Sequence, residues 1–409
     1  MREMKDSGVE WIGEIPKDWN CMRLKFAFGN SNVGESVDKE LYSSDENGYI
    51  FYTAGANPVK TSYTEFPMWK YTTDNDILLA RNGTPYIYLP SKDAVYSDHI
   101  IRINIKDGYC RRFLRYCLQR SIESIIVDSV SIATWSISLW KEQKLPLPYY
   151  HEQKYLADYL DSKCSKIDEI IEKQQAIIKK LKEYKFSIIT EAVTKGINPD
   201  VELKDSTIDM CEQIPVHWGI SQNRYLFSLR DEKNYKPLEE VRLLSLYTDL
   251  GVFPHGEQEE RGNKAVKAEG YKVVYENDIV VNIILAWMGA IGRSAYDGVT
   301  SPAYDIYKPN ENVCSRYYHY LYRTKLFSAE CYKYGRGIMA MRWRTYSSEF
   351  KSIKVPVPPY IEQCQIADYL DSKCEMLDKT IADRNKAIDI LQEYKKSLIY
   401  EVVTGKKEV

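Results

Sequence analysis

The 409-residue chain has nine cysteines, an odd number, and no Cys-x-x-Cys spacing among them. Neither a disulfide framework nor a zinc knuckle is indicated, and a reducing, cytoplasmic setting is expected. No apolar run approaches the roughly 18 residues of a membrane span, and Met1-Arg2-Glu3-Met4-Lys5-Asp6 leads into no apolar stretch of signal-peptide type. Net charge is nearly absent: 56 basic and 58 acidic residues leave −2, so any affinity for nucleic acid must rest on local patches. There is no Gly-x-x-x-x-Gly-Lys-Ser/Thr phosphate loop and no dinucleotide glycine fingerprint. The histidines His99, His151, His217, His255 and His319 are scattered, with no ligand-spaced pair, so no metal site is expected.

Two stretches imitate catalytic motifs and fail on their chemistry. Val357-Pro358-Pro359-Tyr360 has the shape of an adenine-methyltransferase motif, but Val357 stands where an amide or carboxylate must hold the exocyclic amine. Pro199-Asp200-Val201-Glu202-Leu203-Lys204 has the letters of a metal-dependent nuclease site. One residue between the two carboxylates does not bring them onto one magnesium ion. With no catalytic residue, metal or cofactor in view, the chain reads as a binding protein rather than an enzyme.

What is abundant is tyrosine, 34 residues among the 13% aromatics, and hydrophobic residues at 44% suffice for sizeable cores. The length suggests two or three domains. Comparing the chain with itself shows why. Residues 145–194 match 355–404 without a gap, at an offset of 210, with 25 of 50 positions identical. Leu145-Pro146-Leu147-Pro148 returns as Val355-Pro356-Val357-Pro358, and Glu152-Gln153 as Glu362-Gln363. Ala157 to Cys164 recurs intact as Ala367 to Cys374. A second marker, Ile15-Pro16-Lys17-Asp18-Trp19, returns as Ile214-Pro215-Val216-His217-Trp218 at an offset of 199. The frame is duplicated, while the filling differs.

The repeated segment has a helical stripe. Cys164, Ile167, Ile171, Gln174, Ile178, Leu181, Lys185, Ile188 and Ala192 alternate steps of three and four, as do Cys374, Leu377, Ile381, Arg384, Ile388, Leu391, Lys395, Leu398 and Val402. Glu152 and Glu362 suit the positive end of a helix dipole, and Gly196 and Gly405 stand where a helix stops. A helix from Glu152 to Thr194 would be about 63 Å long. Such helices either pack on each other and hold two globular domains apart, or belong to an ordinary bundle. The polar stripe residues Lys185, Lys395, Gln174 and Arg384 suit a wet or register-setting seam.

Residues 20–143 and 219–353 read as mixed strand and helix. A short strand is expected after each Asn-Asp turn, at Ile77–Ala80 and Ile279–Asn282, and helices are expected over Phe113–Leu118 and Tyr317–Tyr322. Basic residues cluster at Arg111, Arg112, Arg115 and Arg120, and again from Arg323 to Arg344. Candidate DNA contacts are Arg81, Asn82, Arg111, Arg112, Arg336, Arg342, Trp343 and Arg344, since guanidinium forks suit phosphates and guanine edges.

Taken together, the Ile-Pro-x-x-Trp lead-ins, the Pro-x-Pro segments running into Glu-Gln, and the duplicated helices resemble the specificity subunit of type I DNA restriction–modification systems. The resemblance covers nearly the whole chain. Tyr149 stands where the second copy has Pro359, and the second lead-in lacks the counterparts of Trp11 and Gly13. The resemblance implies an α+β fold with an internal pseudo-two-fold repeat. Two mixed α/β target-recognition domains, residues 1–150 and 197–354, are separated by spacer helices at 151–196 and 355–409 that pack as an antiparallel coiled coil. It implies that each domain reads half of a split, asymmetric double-stranded DNA target. It also implies two modification (methyltransferase) subunits and restriction (translocase–nuclease) subunits as partners, with S-adenosylmethionine, ATP and magnesium belonging to them. Tyr159, Asp161 and Lys163, with Tyr369, Asp371 and Lys373, are candidate partner-binding residues because they are identical in both copies. Two other readings stay open: a duplicated scaffold that binds no DNA, and a single-chain nuclease or methyltransferase with an unrecognised site.

Overall fold

The computed structural model describes residues 2–43, 48–128, 134–248, 251–256, 267–337 and 343–409. The chain forms two compact units: Met1–Gln175 together with Asn385–Val409, and Ala176–Arg384. The boundary cuts across both long helices, Tyr150–Lys195 and Tyr360–Val403, so each unit holds the start of one and the end of the other.

The core of the first unit is an antiparallel sheet in the order Phe28–Val33, Ile100–Ile105, Asp76–Ala80, Ile87–Tyr88. The second unit repeats that order with Phe227–Arg230, Tyr304–Pro309, Ile279–Asn282 and Ile291–Arg293. Both strands expected after the Asn-Asp turns are therefore present. Each is central and fully buried, which explains why it reads as an unbroken apolar run rather than an alternation. A buried aspartate opens the first strand, and another immediately precedes the second. Asp76 accepts from the Thr73 backbone N–H at 2.7 Å, and Asp278 from the Tyr275 N–H at 2.9 Å. Arg102 and Arg230 pair with these carboxylates at 3.7 and 2.8 Å.

The expected helices are present as Arg111–Asp128 and Ser315–Tyr322. A further strand pair closes each unit: Asn20–Arg23 against Lys144–Leu147, and Gly219–Gln222 against Lys354–Val357. The Pro-x-Pro segments are thus edge strands. There proline's missing donor costs no ladder bond, and its fixed φ suits extended backbone.

The two long helices run in opposite directions within each unit. In the second, Lys185 Nζ lies 2.6 Å from both oxygens of Asp378. Toward the end of the first helix, Ala192 and Val193 share a core with Ile366, Ala367 and Leu370. In the first unit Lys395 Nζ lies 2.6 Å from both oxygens of Asp168. An offset of 210 turns Asp168 into Asp378 and Lys185 into Lys395, so one pair occurs twice with its donors and acceptors exchanged between the repeats. The stripe otherwise buries Ile167, Ile171, Ile178, Leu377, Ile388 and Leu398.

Each helix ends on a left-handed glycine, Gly196 with φ 81° and Gly405 with φ 72°. At Gly405 space requires glycine as well. A Cβ on Gly405 would stand 2.5 Å from Pro16 and 3.1 Å from Trp19, and one on Gly196 would lie 3.5 Å from Trp218. The Ile-Pro-x-x-Trp lead-in is therefore the seat for a helix end: Trp19 and Trp218 are each at most 1% exposed. Among the described residues no helix is long and apolar enough to cross a membrane.

Candidate nucleic-acid and partner interfaces

Each sheet unit grips the start of a long helix through one buried amide. Gln153 Oε1 accepts from the Cys110 backbone N–H at 2.9 Å, while its Nε2 donates to the Pro148 carbonyl at 2.9 Å. Gln363 repeats both bonds, with Cys314 and Pro358, at the same distances. Both glutamines are 1% exposed. The preceding glutamates tie the lead-in to the helix. Glu152 accepts from Trp19 Nε1 at 3.1 Å and from Arg2 Nη1 at 2.6 Å, and Glu362 lies 2.7 Å from His217 Nε2. In the sequence the Glu-Gln pair stands as a repeat marker whose glutamates suit the helix dipole. Its duplication was the signal that could have found this clamp.

A second clamp involves residues expected to face DNA or partners. Arg112 pairs with Asp158 at 2.7 Å and with Asp161 at 2.6 Å, and Tyr116 donates to Asp161 at 2.8 Å. The second unit repeats it: Arg316 pairs with Asp368 and Asp371 at 2.7 and 2.8 Å, and Tyr320 donates to Asp371 at 2.6 Å. Burial works against the charge on both arginines, but the carboxylates outweigh it and hold each guanidinium more firmly protonated than usual. Arg111 donates to the carbonyls of Asp76 and Pro90 at 3.1 and 3.3 Å. Arg111, Arg112, Asp161 and Asp371 are thus all engaged within their own units. Of the other residues identical in both copies, Lys163 lies over the Tyr159 ring at 5.6 Å and Lys373 over Tyr369 at 5.8 Å.

The remaining candidates gather at equivalent ends of the two sheets. After the strand Asp76–Ala80, Arg81 is exposed, its carbonyl accepts from Trp135 N–H at 2.7 Å, and Asn82 Nδ2 lies 2.9 Å from His99 Nδ1. After the matching strand Ile279–Asn282, the Ile283 carbonyl accepts from Thr345 N–H at 2.9 Å. Next to that bond, Arg336 and Arg344 exchange two backbone hydrogen bonds of 2.9 Å. Arg336 is 77% exposed and pairs with the buried Glu349 at 2.8 Å. Trp343 donates to the Tyr332 carbonyl at 2.9 Å and stacks on the Tyr332 ring at 4.8 Å. Arg342 lies outside the described residues.

Two sheet modules of one topology, each clamped to paired helix ends through the same duplicated residues, define the class: an internally repeated, two-module binding protein. The sequence profile of the type I restriction modification DNA specificity domain matches residues 16–191 and 242–389. The chain belongs to this family and is a specificity subunit of a type I restriction–modification system. Among its relatives, the putative type I restriction enzyme MjaX specificity subunit of Methanocaldococcus jannaschii is 24% identical, over 97% of this chain and 96% of that one. The MjaVIII specificity subunit of the same organism is 23% identical, over 97% and 94%. The fold is similar to a chain in a solved structure concerned with complex assembly and conformational transition of the type I R-M system. The TM-score is 0.68 at 12% identity, covering 96% of this chain and 99% of that one. It is also similar to the HsdS subunit from Thermoanaerobacter tengcongensis, with a TM-score of 0.50 at 14% identity, over 96% and 98%. None of these comparisons supports the scaffold alternative.

Proposed function

We propose that each unit reads one half of a split, asymmetric DNA target, and that the long helices form an antiparallel coiled coil about an approximate two-fold axis. That spacer sets the gap between half-sites and docks two methyltransferase subunits, which restriction subunits join. The chain itself contributes no catalysis; methyl donor, ATP and magnesium belong to the partners. The observation that supports this reading is the exchanged ion pair: Asp168 with Lys395 in the first unit and Asp378 with Lys185 in the second repeat one interhelical contact with the roles of the two helices exchanged. DNA contact is assigned to the equivalent sheet ends, through Arg81 and Asn82 in the first unit and Arg336, Trp343 and Arg344 in the second. Tyr159, Lys163, Tyr369 and Lys373 are assigned to the partner surface.

The test is methylome sequencing of cells expressing a partner methyltransferase with and without this chain. A split adenine-methylated motif that vanishes without the chain is expected, and it gives both half-sites and the gap. Methylation that does not depend on the chain would overturn the reading.

A further inference from the structure

The strands Asn20–Arg23 and Gly219–Gln222 hold the same place in the two units, and their registers match residues one by one. Arg23 lies opposite Lys144, and Gln222 lies opposite Lys354. Two positions on, Lys25 corresponds to Arg224. The short helices Ile137–Glu142 and Ser347–Ser352 run into the partner strands and correspond likewise, Ser138, Lys141 and Glu142 matching Ser348, Lys351 and Ser352.

The two places differ in two respects: Gln222 stands where the first unit has Arg23, and Ser352 stands where it has Glu142. In the first unit, Glu142 takes both neighbouring cations, with Arg23 Nε at 2.9 Å and Lys25 Nζ at 3.0 Å. The hydrogen bond from Lys25 holds its carboxyl below the usual range. In the second unit the carboxylate is replaced by Ser352. Its Oγ accepts from Arg224 Nη2 at 2.8 Å and donates to the Ser348 carbonyl at 2.8 Å. A hydroxyl orients the guanidinium without cancelling its charge. Here a cavity of about 380 Å³ opens, lined by Arg224, Ser348, Lys351 and Ser352. The adjacent acid, Glu349, is buried and already engaged, accepting from Ser348 Oγ at 2.6 Å and pairing with Arg336 at 2.8 Å. Two cations, Arg224 and Lys351, beside an open cavity suit a tetrahedral oxyanion, with the protons of both serines already donated inside the unit.

We infer that Arg224 and Lys351, with Ser352 orienting the guanidinium, form a phosphate site whose occupant is a backbone phosphate of the DNA duplex, while the first unit fills the equivalent place with its own Glu142. The choice of DNA as the source rests on the proposed function. A phosphate contact fixes how the second unit sits on the duplex and carries no sequence information itself.

The test uses the full chain with its methyltransferase partner and measures duplex affinity across a range of salt concentrations. Arg224→Gln and Ser352→Glu, the latter writing the first unit's carboxylate into the second, should each lower the log–log salt slope by about 1. Affinity should fall equally on cognate and non-cognate duplexes, with thermal unfolding unchanged. The reciprocal Glu142→Ser should raise the slope by about 1, a gain that misfolding does not imitate. Wild-type slopes in all three properly folded variants overturn the site as a DNA contact. Titration with inorganic phosphate separates the sources: phosphate binding that Ser352→Glu abolishes, beside an unchanged duplex slope, overturns the duplex as occupant. A wild-type complex that binds no duplex defeats the functional reading itself, whatever the variants do.

Discussion

Gln153 and Gln363 each satisfy a helix-start N–H and a proline carbonyl with a single buried side chain. Truncation orphans both groups where water does not reach. Gln153→Ala or Gln363→Ala should therefore cost about 1–3 kcal/mol, read by denaturant unfolding. A loss below a few tenths would show that the clamp is dispensable. His319 offers a pH-dependent counterpart in the second unit. Its Nδ1 accepts from the Arg293 backbone N–H at 3.1 Å, which requires that nitrogen to be unprotonated. Burial, reinforced by Arg323 and Arg293, pushes the imidazole down to about 3. The unfolded chain then takes up a proton near pH 6.5 that the folded one refuses, so stability is full above that pH and falls below it. The loss should reach about 2 kcal/mol at pH 5, and His319→Gln should flatten that part of the unfolding profile.

At the scale of elements, the lysines on the hydrophobic stripe are explained by their partners. Lys185 and Lys395 stand where the seam meets Asp378 and Asp168, so they favour one register over alternatives. Because the aspartates are half exposed, each pair contributes no more than about 1 kcal/mol. Lys395→Asp should destabilise the first unit by roughly that amount, and Lys395→Asp with Asp168→Lys should recover most of it. A double-mutant cycle in thermal unfolding checks this; additive losses would remove the pair from the account. The helix ends carry the other constraint, since Gly405 admits no Cβ against Pro16.

For the whole molecule, the proposed spacer makes a quantitative demand. Seven residues inserted in phase into both long helices preserve the stripe and add about 10.5 Å, or roughly three base pairs of duplex at 3.4 Å each. Methylome sequencing should then show both half-sites unchanged with a gap about three base pairs longer. An unchanged gap would detach the helices from any ruler role.

How much was legible without coordinates follows from the kind of interaction involved. Periodicity and duplication are properties of the string, so the long helices, their glycine stops, the core strands after the Asn-Asp turns and the two-part plan could be read from it. So could the family, because its markers are contiguous. What neighbours a polar side chain is decided by residues far away in sequence. Arg112 reads as a surface cation until Asp158 and Asp161 fold against it. Glu152-Gln153 is a marker at a helix start, and its clamping role emerges when Trp19, Cys110 and Pro148 surround it. Likewise, a serine in place of Glu142 means nothing until the strand register sets Arg224 beside Ser352. Local pattern determined the elements and their repetition; tertiary packing alone decided which charges are spent inside the fold and which are left to face a ligand.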